Sequence, residues 1–304
     1  MKMNKQVYGL IGVASLMGNW NADFTGNPKM TLNGRIFGSD KALKYSFRNL
    51  WDTNDKKVLY FKSYKENLQP RELDERYEMI FGSENKKEKK GSKDLEVLKN
   101  LFGVVDVKQF GATFPSKKYG NLSILGAVQI GQGFNCFKNT INTQEVLSPF
   151  KNSSNENADN SSIGKMIMTD EAHYIYPFNI NPNKYKEFEK IGVTDGYTEE
   201  DYKIFKETSL KSVTALNSAS KFGCFNEFAL FIETDINTSL PPMNIFVSYE
   251  KDENDKGTVT FNLGNVLENV KGQIKKVEIY LLKDKMEFVT DLENAGIKIE
   301  RFEI

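Results

Sequence analysis

The hydrophobic and polar positions change period several times along the chain, and each change marks an element. Val7 to Gly18 is apolar at nearly every position and predicts a buried strand. From Ser39 the period lengthens. Leu43, Phe47, Leu50 and Trp51 fall at i, i+4, i+7 and i+8, so a helix with one apolar stripe is predicted over 39–52. Ser39 supplies an N-cap and Asp40 a negative charge in the first turn. Between strand and helix lies Asn19–Gly38, rich in Asn and Gly, and a loop of that length is uncommon without a function. Pro70–Phe81 and Ser92–Phe102 read as short helices flanking a solvated lysine-rich loop, SENKKEKKGSK.

Ile124–Phe137 is strand-like and carries Gly126, Gly131 and Gly133, which signals the close approach of another backbone or a ligand. Asn139–Asn160 is polar except for an apolar knot, Val146 to Phe150, and apolar residues at a loop tip need a partner. Ile163–Met168 reads as the return strand of a long hairpin. Ala172–Ile180 and Phe228–Thr234 are strands, and Thr198 opens a helix to about Leu216. Further strands are predicted at 243–249, 258–263, 274–282 and 297–303, with a short helix between Lys283 and Ala295. With 53–104 and the hairpin set aside, the order is strand, helix, strand, strand, helix, strand. That is the ferredoxin-like order shared by the RNA-recognition motif, so the fold class is α+β. The glycine-aromatic signatures of a motif that reads bases on its sheet are absent.

Composition narrows the chemistry. The 304 residues carry 41 basic and 41 acidic side chains, which argues against a generic basic nucleic-acid binder and confines any such site to a local patch. Charge is segregated: residues 186–207 hold four Lys and seven acids, whereas Met30 to Trp51 holds one acid. Lys41, Lys44 and Arg48 line a second helical stripe beside the apolar one, with Arg35 in the approach loop. Such an edge can line up successive phosphates, and it equally suits a solvated helix face. Gln109, Gln129 and Gln132 are neutral donors for phosphate or sugar oxygens, and Phe110 is placed to stack on a base or to pack in the core.

Two distant cysteines, Cys136 and Cys224, exclude a disulfide framework and a zinc pattern and suit a reduced cytoplasmic protein. No run is long enough to cross a bilayer. The single histidine, His173, sits among strand aromatics, and a packed histidine is expected there. No catalytic triad, phosphate-binding loop or metal-ligand spacing is present, so neither a catalytic residue nor a cofactor is expected. Asp23, in the first loop, is a turn former or a residue that positions water or metal near bound RNA.

Several blocks in order resemble the CRISPR-associated Cas-seven superfamily, the repeated backbone subunit of Cascade complexes, with type I-B members most similar. They are GSDKALKYSFRNLW, DVKQFGATF, GAVQIGQGFN, TEEDYKIFKETSLKSVTALNSASKFG and KKVEIYLLKDKMEF. The resemblance implies one RNA-recognition-motif-like palm over 1–304, with a helical insertion (fingers) at 53–104 and a hairpin insertion (thumb) at 138–170. It implies a non-catalytic protein that binds guide crRNA without reading its sequence and oligomerises along it with other copies and other Cascade subunits. The guide is thereby presented for target DNA pairing. Lys41, Lys44 and Arg48 would hold guide phosphates, and Lys108, Gln109, Phe110, Gln129 and Gln132 would line the palm. Val146, Leu147 and Phe150 would form the thumb tip. Some ligand-bound relatives cut target RNA with a loop aspartate, for which Asp23 is the nearest candidate, so a CRISPR-associated endoribonuclease is the alternative.

Overall fold

A computed structural model describes residues 1–82, 92–147 and 162–304. The first strand, β1 (Gln6–Gly18), leads through the Asn/Gly loop to a two-residue strand, β2 (Phe37–Gly38), and the helix α1 (Asp40–Thr53). Then come α2 (Leu73–Phe81), α3 (Ser92–Phe102), α4 (Val105–Phe110) and a hairpin of β3 (Gly111–Ser116) and β4 (Gly120–Leu125). Two short strands, β5 (Val128–Ile130) and β6 (Gly133–Asn135), precede β7 (Ile141–Leu147) and β8 (Ser162–Ile180). The helices α5 (Lys186–Lys190) and α6 (Glu199–Ser209) lead to β9 (Cys224–Thr234). The C-terminal part contains β10 (Val247–Lys251), β11 (Gly257–Phe261), α7 (Gly264–Glu268), β12 (Ile274–Leu281), β13 (Met286–Thr290) and β14 (Glu300–Glu303).

Among the described residues the main sheet runs β14-β12-β9-β1-β8-β6-β2, with β5 and β7 also paired to β8. At its centre β9, β1, β8 and β6 each run antiparallel to the next. The strand β1 is apolar throughout because both faces of the sheet are covered. One core places Val7, Ile11, Tyr176, Phe178 and Phe231 beneath Phe47 of α1 and Phe205 of α6. The other places Leu10, Ile175, Phe228 and Leu230 beneath the small sheet β10-β11-β13, through Tyr249, Val259, Phe261 and Met286.

Local chemistry explains where these elements differ from the sequence expectations. The helix expected to reach Leu216 stops at Ser209, because the Asn226 side chain takes over its end. The Asn226 Nδ2 donates to the Ser209 carbonyl and its Oδ1 accepts from Val213 N, at 2.8 and 2.9 Å. The helix expected within Lys283–Ala295 is instead the strand β13, parallel to β11, with Met286 buried and its neighbour Glu287 exposed. Pro70 does not open a helix; Glu72 caps α2 reciprocally with Glu75. The expected return strand and the strand Ala172–Ile180 are one 19-residue strand, β8. The hairpin β3–β4 was not foreseen; it packs on α2 through Phe114 and Tyr119 against Tyr77. The loop SENKKEKKGSK lies almost wholly outside the described residues.

Candidate nucleic-acid interface

The start of α1 is clamped to the edge of the main sheet. Phe37 and Gly38 pair with Phe134 and Gly133, and the Ser39 hydroxyl caps the helix by accepting from Ala42 N. A Cβ on Gly133 would lie 2.4 Å from the Tyr176 ring, and one on Gly126 would lie 2.1 Å from the Phe110 carbonyl carbon. The glycines of this segment therefore answer to close internal packing.

This clamp gathers several of the candidate residues. Asp40 accepts from Lys44 Nζ at 2.9 Å and from Gln132 Nε2 at 3.2 Å, tying α1 to the β5–β6 turn. Burial would raise the Asp40 carboxyl, but these bonds and the Lys44 charge hold it below its ordinary value. Lys41 is exposed and makes no salt bridge among the described residues. The Arg35 Nε donates to the Asn135 carbonyl at 3.1 Å, and its guanidinium sits 4.8 Å above the Phe134 ring. The half-buried Phe110 packs on Phe47 and Trp51, with Lys44 and Arg48 over its ring at 5.3 and 5.5 Å.

Arg48 is more than an edge cation. Its Nε donates at 2.9 Å to Asp106, which is wholly buried and also accepts from the backbone of Leu59 and Tyr60. The Arg48 Nη groups make no hydrogen bond among the described residues, and the guanidinium lies over the Tyr60 and Phe110 rings. Arg48 lines a shallow cavity of about 300 Å³ with Tyr60, Phe110 and Thr113. Asp106 and Tyr60 were not foreseen, because a partner 58 positions away leaves no local pattern.

Other candidates lie elsewhere. Gln109 is fully buried and its amide is spent internally, accepting from Tyr197 Oη and donating to the Asp201 carbonyl. Lys108 donates to Thr194 Oγ1 at 2.8 Å, and burial lowers its pKa. It lines a separate cavity with Lys56 and Lys57. Gln129 donates to the Gly126 carbonyl and faces a groove with Tyr8 and Pro177. On β7, Val146 and Leu147 are exposed, 41% and 60% of their surface, while Phe150 lies outside the described residues.

Asp23 and His173 are both committed to partners within the chain. The Asp23 Oδ1 accepts from Thr25 N, Thr25 Oγ1 and Asn27 N, a turn-forming set whose hydrogen bonds, that of the Thr25 hydroxyl foremost, lower its pKa. His173 is 3% exposed, stacks on Tyr249 and bonds Glu227 and Glu171 through its two ring nitrogens at 2.8 and 2.9 Å. Cys224 is buried and Cys136 half-buried, its thiol pushed up to about 12 by burial. Among the described residues no helix is long and apolar enough to cross a membrane.

In comparison with solved structures, a chain of the "CRISPR RNA-guided surveillance complex, pre-nicking" superposes with a TM-score of 0.58 at 12% identity. The match covers 98% of this chain and 96% of that one, so the two share a fold. A chain of a second "CRISPR RNA-guided surveillance complex" gives 0.47 at 14% identity, covering 96% and 94%. No curated protein matches. The family description "CRISPR-associated protein Cas7" matches residues 5–277, nearly the whole length, and on that match the chain belongs to the CRISPR-associated protein Cas7 family.

Proposed function

We propose that this protein is a non-catalytic backbone subunit of a Cascade-type complex that binds guide crRNA along the α1 edge. The observation that carries this reading is the clamp of α1 on β6, which gathers Arg35, Lys41, Lys44 and Gln132 around the helix start, with Arg48 farther along the same edge beside Lys44 on the Phe110 ring. Donors of this kind hold phosphates and fix register, while base pairing with target DNA does the reading. The sheet face that an RNA-recognition motif uses for stacking bases is here buried under β10-β11-β13, which favours binding at an edge over binding on the sheet.

In this reading β1, β5–β6, β8 and β9 with α1 and α6 form a modified RNA-recognition-motif palm, since the central order β9-β1-β8-β6 is that of the ferredoxin-like split. The segment 53–104 forms the fingers, joined by β3–β4, and 138–170 the thumb. The exposed Ile141, Val146 and Leu147 wedge against the RNA segment of a neighbouring copy, which aligns copies along the guide beside other Cascade subunits. Lys108 and Gln129 line outer parts of the palm, and Gln109 supports it from within.

The alternative, a CRISPR-associated endoribonuclease, is disfavoured by the commitment of Asp23 to its turn and of His173 to two carboxylates. Incubation with repeat RNA and with guide-matched target RNA tests both readings. Intact RNA is expected; cleavage lost in Asp23→Ala or His173→Ala would establish the nuclease.

A further inference from the structure

A cavity of about 640 Å³ lies between β10, the starts of β9 and the central part of β8, and the segment after α6, and it includes none of the α1-edge residues. Its walls are apolar, with Leu16, Leu210, Phe225, Leu282 and Met286. Among the polar residues that line it, Glu227 is 1% exposed. The Glu227 Oε2 bonds His173 Nδ1 at 2.8 Å, whereas Oε1 has no partner among the described residues. A buried carboxylate oxygen without a donor is costly and marks a place for one.

The surrounding charges say what kind of donor fits. His173 bonds a carboxylate at each ring nitrogen, an arrangement that favours the doubly protonated ring, and Lys251 bonds Glu171 at 2.7 Å and Asp255 at 3.1 Å. Three carboxylates, Glu227, Glu171 and Asp255, thus face the His173 ring and the Lys251 ammonium, and with Lys211 and Lys285 the side chains lining the cavity hold four basic groups against three acids. A neutral N–H satisfies Glu227 Oε1 without adding to that positive excess, whereas a guanidinium would add to it. Lys211 and Lys285 also line the cavity, are exposed and make no salt bridge among the described residues. An apolar slot with an N–H acceptor inside and two cations at its rim suits a flat heterocycle carrying a phosphate. We propose that this cavity binds one nucleotide, its base donating an exocyclic N–H to Glu227 Oε1 and its phosphate held by Lys211 and Lys285.

Titration calorimetry of the full chain with AMP, CMP, GMP and UMP tests the site. One saturable site is expected, weakest for UMP, whose base has no exocyclic amine. Both Glu227→Gln, which turns the acceptor toward a donor, and the surface variant Lys211→Ala/Lys285→Ala should weaken it about tenfold or more. Displacement by a short single-stranded RNA would make the ligand one nucleotide of a strand, and its failure a free nucleotide; either outcome supports the site. No saturation by about 1 mM, affinity unchanged in the lysine variant, or preferential saturation by N-acetylarginine amide would overturn it.

Discussion

Arg48, a residue of the proposed interface, also serves the fold. Its ion pair with the buried Asp106 joins α1 to the backbone at 59–60, so removing it leaves a carboxylate buried without its cation. Arg48→Ala should therefore cost about 3 kcal/mol in denaturant unfolding, against less than about 0.5 for Lys41→Ala. Equal, small effects would show that the pair is incidental. His173 supplies the second prediction at this scale. Burial opposes its charge, but Glu227 and Glu171 outweigh that and raise its pKa above the ordinary 6.5. The folded state thus holds the proton more tightly than the unfolded chain. The resulting stabilisation is complete below about 6.5 and is lost as pH rises through the higher folded value. The melting temperature should fall across that window, and His173→Gln should flatten the profile; an unchanged slope would contradict the assignment. The basic stripe of α1 was legible as a spacing. The pairing of Arg48 with Asp106 was not, because it joins distant segments.

At the scale of elements, the clamp between β2 and β6 sets where α1 begins. Gly133→Ala would drive a methyl into the Tyr176 ring and should cost about 1–3 kcal/mol while lowering RNA loading. Gly272→Ala, with nothing within 4 Å, is the control and should be near neutral. Comparable melting temperatures for the two would show that the clamp tolerates separation. Elements with a long, unmixed period were readable from the chain, as with β1 and the apolar stripe Leu43–Phe47–Trp51, and so was the helix start at Thr198. Those decided by tertiary partners were not. The helix α6 ends where Asn226, from a different element, satisfies its last carbonyl, and β13 is selected by pairing with β11. The three glycines were correctly taken to mark close approach, but what approaches is the chain's own Phe110, Pro177 and Tyr176.

For the whole molecule, balanced charge and a sheet covered on both faces are the grounds on which the proposed function places binding at edges and projections. The β7–β8 hairpin is such a projection, exposed along most of β7. Deleting 142–162 should disturb assembly on RNA, read by light scattering, far more than it lowers the monomer's melting temperature; the reverse would place the hairpin in the core. The α+β class was legible because β1, α1, β8, α6 and β9 each carry a strong pattern. The burial of the opposite sheet face was not, since β10, β11 and β13 are short and their partners lie far away in the chain.

The central claim is that guide RNA is held along the α1 edge. Its most direct test is the nucleic-acid content of the protein purified after co-expression with a CRISPR array, compared with Lys41→Glu/Lys44→Glu. The account predicts a uniform small RNA on the unaltered protein and none on the double variant, whose circular dichroism and melting temperature stay close to those of the parent. An unaltered protein free of RNA, or a folded double variant that retains it in full, would contradict the account.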